Sequence, residues 1–296
     1  MAPCISICIP AYKRIEFLKR LLDSIAIQTF RDFEVLVTDD SPSKEVEEIT
    51  ELYRSKFKLY YYKNETALGT PANWNECISR ANGTWIKLMH DDDWFSTEKS
   101  LEIFVSHLSP KYKFVFSAYK NIHEDSKKRD MEILLSFWNR RSIDKHPDIL
   151  LLQNLIGPPS VTVMHKSVAE IYDTKLKWRV DSDFYARVIK KEKKYLYINK
   201  PLINIGISES QVTQSCINNP VVELPEAFLL IKKHGLKSLA NIRIYDSWWR
   251  LLRNMNIKNE SQLRQYVDAE WPKLILAIAG HLAQAPSFIL KYGMVS

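Results

Sequence analysis

Between residues 4 and 89 four short β-rich runs alternate with three stretches of helical periodicity, and this alternation constrains the fold more than any other feature. The runs are residues 4–9 (CISICI), 33–38 (FEVLVT), 59–62 and 85–89 (WIKLM). Between them Ile15, Leu18, Leu21, Leu22 and Ile25, then Val46, Ile49, Leu52 and Tyr53, then Trp74, Cys77, Ile78 and Ala81 recur at the spacing of one helix face. Asn82-Gly83 supplies a C-cap signal for the third. Strands separated by helices of about a dozen residues make a parallel α/β sheet covered by helices. Such sheets bind ligands beyond the carboxyl ends of their strands. The exits are Pro10-Ala11-Tyr12, Asp39-Asp40-Ser41 and His90-Asp91-Asp92-Asp93. Carboxylates gathered on one edge repel one another unless a cation or a proton relieves them.

Composition narrows the chemistry. The chain has only seven glycines, at 69, 83, 157, 206, 235, 280 and 293, and no two are close. That excludes a G-x-G-x-x-G dinucleotide loop, a Walker A loop and a G-x-S-x-G nucleophile elbow. The net charge of +7 fits anionic small molecules, membranes or nucleic acid without choosing among them. Cys4, Cys8, Cys77 and Cys216 form no C-x-x-C pair, which fits free thiols in a reducing cytosol rather than a zinc site. Residues 1–10 lack the basic start and cleavage site of a signal peptide. The sequons at Asn64, Asn82 and Asn259 are therefore read as chance matches.

Beyond residue 100 the alternation weakens. Leu101, Phe104, Val105 and Leu108 mark a helix, and residues 113–119 and 161–165 mark strands. The charged stretch 123–131 reads as a loop, and a helix starts near Asp181. From about residue 220 the pattern is all-helical, with ten Lys and Arg against six Asp and Glu. Trp248, Trp249, Trp271 and the apolar stretch 274–290 sit there, so this tail is expected to be a helical subdomain. A further expectation is a peripheral contact between the tail and an anionic lipid surface.

Several residues carry competing readings. Three consecutive acids after strand four exceed what a helix N-terminus needs, and hard carboxylate oxygens suit Mg²⁺ or Mn²⁺ beside phosphates. Asp39-Asp40 reads equally as a turn or as an acceptor for a base or ribose. Tyr12 is either plain surface or a stacking platform for a base. Asp181 and Asp183, taken singly, read as the acidic first turn of a helix. His90 reads as a packing residue or one that supports the acids from behind.

Taken together, residues 3–215 resemble an inverting family 2 glycosyltransferase of the GT-A fold. The likeness rests on ISICIPAYKR, on QTFRDFEVLVTDDSPS (28–43) and on NETALGTPANWNECISRANGTWIKLMHDDDWF (64–95), in that order and spacing. It implies an α/β, Rossmann-like, mostly parallel sheet flanked by helices, with a C-terminal helical region. Residues 1–100 would be the nucleotide-sugar-binding half, 101–215 the acceptor half with the catalytic base, and 216–296 the helical region. Pro10, Ala11 and Tyr12 would line the base pocket, and Asp40 would contact the uracil or its ribose. Gly69, Asn73 and Asn75 would border the nucleotide. Asp92 would be the ligand of Mn²⁺ or Mg²⁺, with Asp91 near the ribose or a metal-bound water. His90 stands where the family's acidic motif usually begins. Asp181 aligns with the family's base, ahead of Phe184 and Arg187. The segment 206–213 matches less well and lacks a His or Arg often found there.

The resemblance implies a UDP-sugar donor and a saccharide acceptor, a lipid-linked surface polysaccharide unit. Nucleic acid is not expected as a partner. The location implied is cytoplasmic, with peripheral attachment to the inner face of the membrane. Two other readings stand beside it. A nucleotidyltransferase would want a glycine-rich loop after strand one, where this chain has Pro-Ala-Tyr-Lys. A nucleotide-sugar-binding subunit without turnover would not need Asp92 and Asp181.

Overall fold

The computed structural model describes residues 2–124, 128–207, 216–235 and 241–284. The chain divides into two compact units. The first comprises Met1–Asn139, Leu155–Lys175 and Arg187–Glu209; the second comprises Arg140–Asn154, Leu176–Ala186 and Ser210–Ser296.

The first unit is built on one sheet. Its strands are β1 (Ile5–Ala11), β2 (Phe33–Asp39), β3 (Leu59–Lys63), β4 (Trp85–Leu88), β5 (Asp93–Phe95), β6 (Phe114–His123), β7 (Met131–Ile133), β8 (Thr162–His165) and β9 (Leu196–Ile207). The order is β3-β2-β1-β4-β8-β6-β9-β5, with β7 paired to β6. The expected parallel half is present: β1 pairs in parallel with β2 and β4, and β2 with β3. Beyond β4, β8 runs antiparallel, and β6 and β9 are parallel to each other. Ile5, Ile7, Cys8 and Ile9 of β1 are all fully buried, as a central strand covered on both faces requires.

Helices α1 (Ile15–Ala26), α2 (Glu45–Glu51), α3 (Ala72–Ser79) and α4 (Ser100–Ser106) lie where the periodicity places them, but α2, α3 and α4 are shorter than the dozen residues expected and end before Leu52, Ala81 and Leu108, and Leu52 is exposed. In α1, Leu18, Leu21, Leu22 and Ile25 form the buried stripe. Two further helices, α5 (Phe137–Lys145) and α6 (Val180–Glu192), each begin in one unit and end in the other. The 123–131 stretch is bordered by β6 and β7; residues 125–127 lie outside the described set.

The second unit contains α7 (Pro220–His234), α8 (Ile242–Asn254), α9 (Glu260–Arg264) and α10 (Lys273–Gln284). Asn219, Asn241 and Asn259 cap α7, α8 and α9, each side chain accepting from a backbone N–H of the first turn. The sequon at Asn259 is thus spent as a helix cap. The tail's aromatic residues build a core: Trp248 and Trp271 are buried with Phe228, Leu252 and Ile275, and Trp249 packs against them. The apolar stretch 274–290 is helical as far as Gln284; residues 285–290 lie outside the described set. Among the described residues no helix is long and apolar enough to cross a membrane.

Candidate active site

The exit of β1 is a strained turn. Lys13 has φ 65, a left-handed conformation that non-glycine residues seldom adopt, and Arg14 follows it directly before α1. The Lys13 N–H donates to Ser41 Oγ at 2.7 Å, tying the exits of β1 and β2 together. The turn carries the Arg14 guanidinium 2.9 Å from Asp92 and 3.7 Å from Asp91. Ala11 is buried and its carbonyl accepts from the Asp40 N–H at 3.0 Å. Tyr12 leaves half of its surface exposed, with Lys13 Nζ over its ring. Pro10 is half-buried on β1.

The two aspartates after β2 have separate partners. Asp39 is fully buried; Tyr61 Oη and Lys63 Nζ donate to its Oδ2 at 2.8 and 2.9 Å, and the Ser41 N–H to its Oδ1 at 2.7 Å. Asp40 organises the loop that follows β3. Its Oδ1 accepts from Asn64 Nδ2 at 2.7 Å and the Leu68 N–H at 3.0 Å, and its Oδ2 from the Gly69 N–H at 2.8 Å. Gly69 has φ +71, a conformation that favours glycine. Asn73 donates to the Thr38 carbonyl and accepts from Asn64, so it ties α3 to the same loop. Asn75 makes a two-bond clip with the backbone of Tyr172. Asp40, Gly69 and Asn73 therefore meet at this edge, where Asn64 joins them and their bonds shape the loop itself, whereas the side chain of Asn75 is committed to Tyr172.

At the exit of β4 the acids part company. Asp91 and Asp93 are buried and Asp92 is half-buried. Burial, then the charge of Asp92, pushes the Asp91 carboxyl up to about 7. Burial drives Asp93 well above the usual range, although the Ser160 hydroxyl and the Gly206 N–H bond to it. Lys87, fully buried on β4, donates to the carbonyls of Ser160 and Thr162, and burial lowers its ammonium to about 7. Arg20 stacks 3.7 Å over Trp94 and donates to the Asp92 carbonyl at 3.0 Å. Gly206 of β9 lies close against this loop. A Cβ there would sit 2.6 Å from the Asp92 carbonyl oxygen.

His90 belongs to this cluster. Its ring stacks on Trp74 at 4.7 Å, and its N–H donates to Ser160 Oγ at 2.9 Å. Its Nε2 is buried without a hydrogen-bond partner. One ligand atom each from His90, Asp92 and Asp93 falls within 4.8 Å of the others. An orphaned imidazole nitrogen beside two carboxylates fits a divalent cation, and the imidazole favours Mn²⁺ over Mg²⁺. The arrangement can therefore hold a metal next to an anionic ligand.

In the second unit Asp181 lies in the first turn of α6 and is half-buried. Asn154 Nδ2 donates to its Oδ2 at 2.6 Å, and the Ser182 N–H to its Oδ1 at 2.8 Å. Burial raises its carboxyl to about 6, against the lowering effects of these bonds and of Arg179. That leaves a carboxylate at neutral pH that still has affinity for a proton. Asp183 differs: it is fully buried, with Lys233 Nζ at 2.8 Å and His234 Nε2 at 2.9 Å.

Sequence reasoning gave no site role to Arg14, Arg20, Asn64, Trp74, Lys87 and Ser160. Their partners lie up to 78 residues away in the chain, and no local pattern marks them. Of the segment 206–213, residues 208–213 lie outside the described set.

Comparison with known proteins gives a consistent result. Residues 6–172 match the family model "Glycosyl transferase family 2". An uncharacterized glycosyltransferase of Methanocaldococcus jannaschii is 29% identical over 69% of this chain and 71% of its own. One of Rickettsia felis is 32% identical over 42% of this chain, and the match spans only 20% of that longer protein. Staphylococcus aureus TarS 1–349, solved with UDP-GlcNAc, superposes with a TM-score of 0.58 at 16% identity, covering 90% of this chain and 84% of that one. A mannosyltransferase of Pyrobaculum calidifontis, solved with GDP-Man and Mn²⁺, gives 0.60 at 14% identity, covering 98% and 83%.

Proposed function

The chain belongs to glycosyl transferase family 2, and from that premise we propose that it moves a sugar from a UDP-sugar to an acceptor hydroxyl with inversion. Its fold is that of the GT-A glycosyltransferases. One observation carries the reading: the exits of β1, β2 and β4 converge with the Asp40-centred loop on an edge that offers both a polar rim and a cluster of His90, Asp92 and Asp93 able to hold a cation.

On this reading Pro10, Ala11 and Tyr12 line the base pocket, and the loop held by Asp40 borders the nucleoside. Asp91 sits on the ribose side, and Asp92, the more accessible acid, is the principal cation ligand with His90 beside it. A bound divalent ion supplies positive charge to the diphosphate as it leaves. Arg14 adds charge to the same edge from the protein. Asp181 accepts the proton of the attacking hydroxyl. Its raised affinity for a proton suits that task better than an ordinary surface carboxylate. A single displacement, with no covalent enzyme intermediate, turns an α-linked donor into a β-linked product.

A lipid-linked saccharide is the acceptor to test first. UDP- and GDP-sugars should be screened for hydrolysis and thermal stabilisation with and without Mn²⁺, since one structural neighbour carries each nucleotide. Metal-dependent stabilisation by UDP and its sugars is the expected result. Equal stabilisation by both nucleotides regardless of metal would overturn the assignment of donor and ion.

A further inference from the structure

Helix α7 holds the chain on both sides of Asp181. Glu226, buried on α7, accepts from three successive backbone N–H groups: Lys177 at 2.6 Å, Trp178 at 3.0 and 3.1 Å through its two oxygens, and Arg179 at 2.8 Å. Successive N–H groups aimed at one point form an anion nest, and a side-chain carboxylate fills this one. One turn earlier, Glu223 pairs with the buried Arg179 guanidinium and accepts from the Asn218 N–H. Two turns later, Lys233 and His234 hold Asp183. Residues 223, 226, 230 and 233 or 234 fall on one face of a helix. Asp181 therefore lies between two anchors, residues 177–179 and residue 183, both fastened to the same helix.

This fastening is additional to the apolar packing of α7. Leu224, Ala227, Phe228 and Ile231 already pack α7 into the core of its unit. Buried ion pairs contribute little net stability compared with apolar residues of similar size. What these pairs do supply is a fixed location for the backbone that bears Asp181.

The geometry points to α7 as the positioning device for the proton acceptor, with Glu226 as its central positioning residue and the Asp183 anchor as its second support. This inference rests on Asp181 being the base of the proposed transfer. Glu226 would not touch substrate; it would act by keeping the Asp181 carboxylate where the acceptor hydroxyl reacts. Misplacement of about 1 Å can cost about a hundredfold in rate.

The test is Glu226→Gln in the full chain, with kcat, donor KM and UDP affinity in Mn²⁺ measured beside Asp181→Asn and the double variant. The amide turns a donor toward at least one of the three N–H groups. The expected result is a kcat lower by about 10- to 100-fold, UDP affinity and donor KM within about twofold, and no additional loss when Asp181→Asn is already present. A folded Glu226→Gln enzyme with wild-type kcat overturns the inference. So does an equal further loss in the double variant, which would indicate general damage. If Glu226→Gln does not fold, Lys233→Met, at a partly exposed position, replaces it; wild-type kcat there overturns the inference. Full turnover in Asp181→Asn refutes the base assignment itself, and the positioning role with it, whatever Glu226→Gln does.

Discussion

Replacing Asp181 by Asn should make the protein slower and, at alkaline pH, more stable. The folded chain holds this carboxyl at about 6, with burial the main cause, against about 4 for a free side chain. A folded value above the unfolded one stabilises the fold fully below pH ~4 and loses that contribution as pH rises through about 6. Two pH units correspond to roughly 3 kcal/mol as an upper limit, because each unit is worth about 1.4 kcal/mol. Partial exposure of Asp181 reduces that figure. Asn keeps an acceptor for Asn154 but presents an amide N–H toward either Asn154 or the Ser182 N–H, which offsets about 1 kcal/mol. The net gain at pH 8 is then on the order of 1 kcal/mol, a rise of a few degrees in Tm, and at pH 4, where the charge effect is gone, the amide mismatch leaves a loss of about 1 kcal/mol. Turnover should fall by about 10²–10⁴-fold. In the wild type, kcat/KM should drop tenfold per pH unit below about 6. Paired melts at pH 4 and pH 8 with initial-rate assays test both halves. A Tm at pH 8 lowered as much as at pH 4 refutes the buried-charge reasoning, and turnover within a few-fold of wild type refutes the catalytic role.

Asp92→Asn should weaken UDP binding in Mn²⁺ and leave metal-free binding unchanged; calorimetry with and without the ion reads this directly, and equal losses in both would rule out a ligand role. Asp40→Asn should release the loop it gathers, so hydrogen exchange at the Leu68 and Gly69 amides should accelerate and UDP affinity fall about tenfold, as loss of a charge-assisted contact would cause. Protection of those two amides at the wild-type level would show that Asp40 does not hold the loop. Gly206→Ala should cost about 1–3 kcal/mol, the usual range for overpacking, because its Cβ would press on the Asp92 carbonyl; an unchanged Tm with normal UDP affinity would contradict the close approach.

The parallel half was readable because each of its strands is a short run of β-branched, aromatic or aliphatic residues and helical periodicity separates them. Strand β9 was not. Lys200 and Pro201 interrupt its alternation, and the register with β6 shifts on either side of Ala118, opposite that proline, so the strand continues where the pattern breaks. Strand β5 is three residues long and begins at Asp93, inside the acidic motif, so charge concealed it. At the site, the exits were legible as places but not as circuits. Asp40 read as a ligand contact, whereas its bonds run to a loop some 24 to 29 residues on. His90 read as a packing residue or a support for the acids; its ring does pack on Trp74, while the burial of its Nε2 without a hydrogen-bond partner is visible only in the fold. Asp183 read as part of the acidic first turn of a helix, but Lys233 and His234, 50 and 51 residues downstream, also bind it, and no spacing rule links the three.

The family match ends at residue 172, yet the proposed base and the helix that fastens the chain on both sides of it lie between residues 177 and 234. For protein engineering this makes the interval a cassette. A chimera joined anywhere between Asp183 and Glu223 would pair the carboxylate of one parent with the helix of another, leaving three backbone amides and a guanidinium facing a foreign surface. Transplanted whole, the block carries the carboxylate together with the helix that holds it. Recombination aimed at new acceptors should therefore place its crossovers before Lys177 and after His234, and match β9, which travels with the block, to the β5 and β6 strands it pairs with.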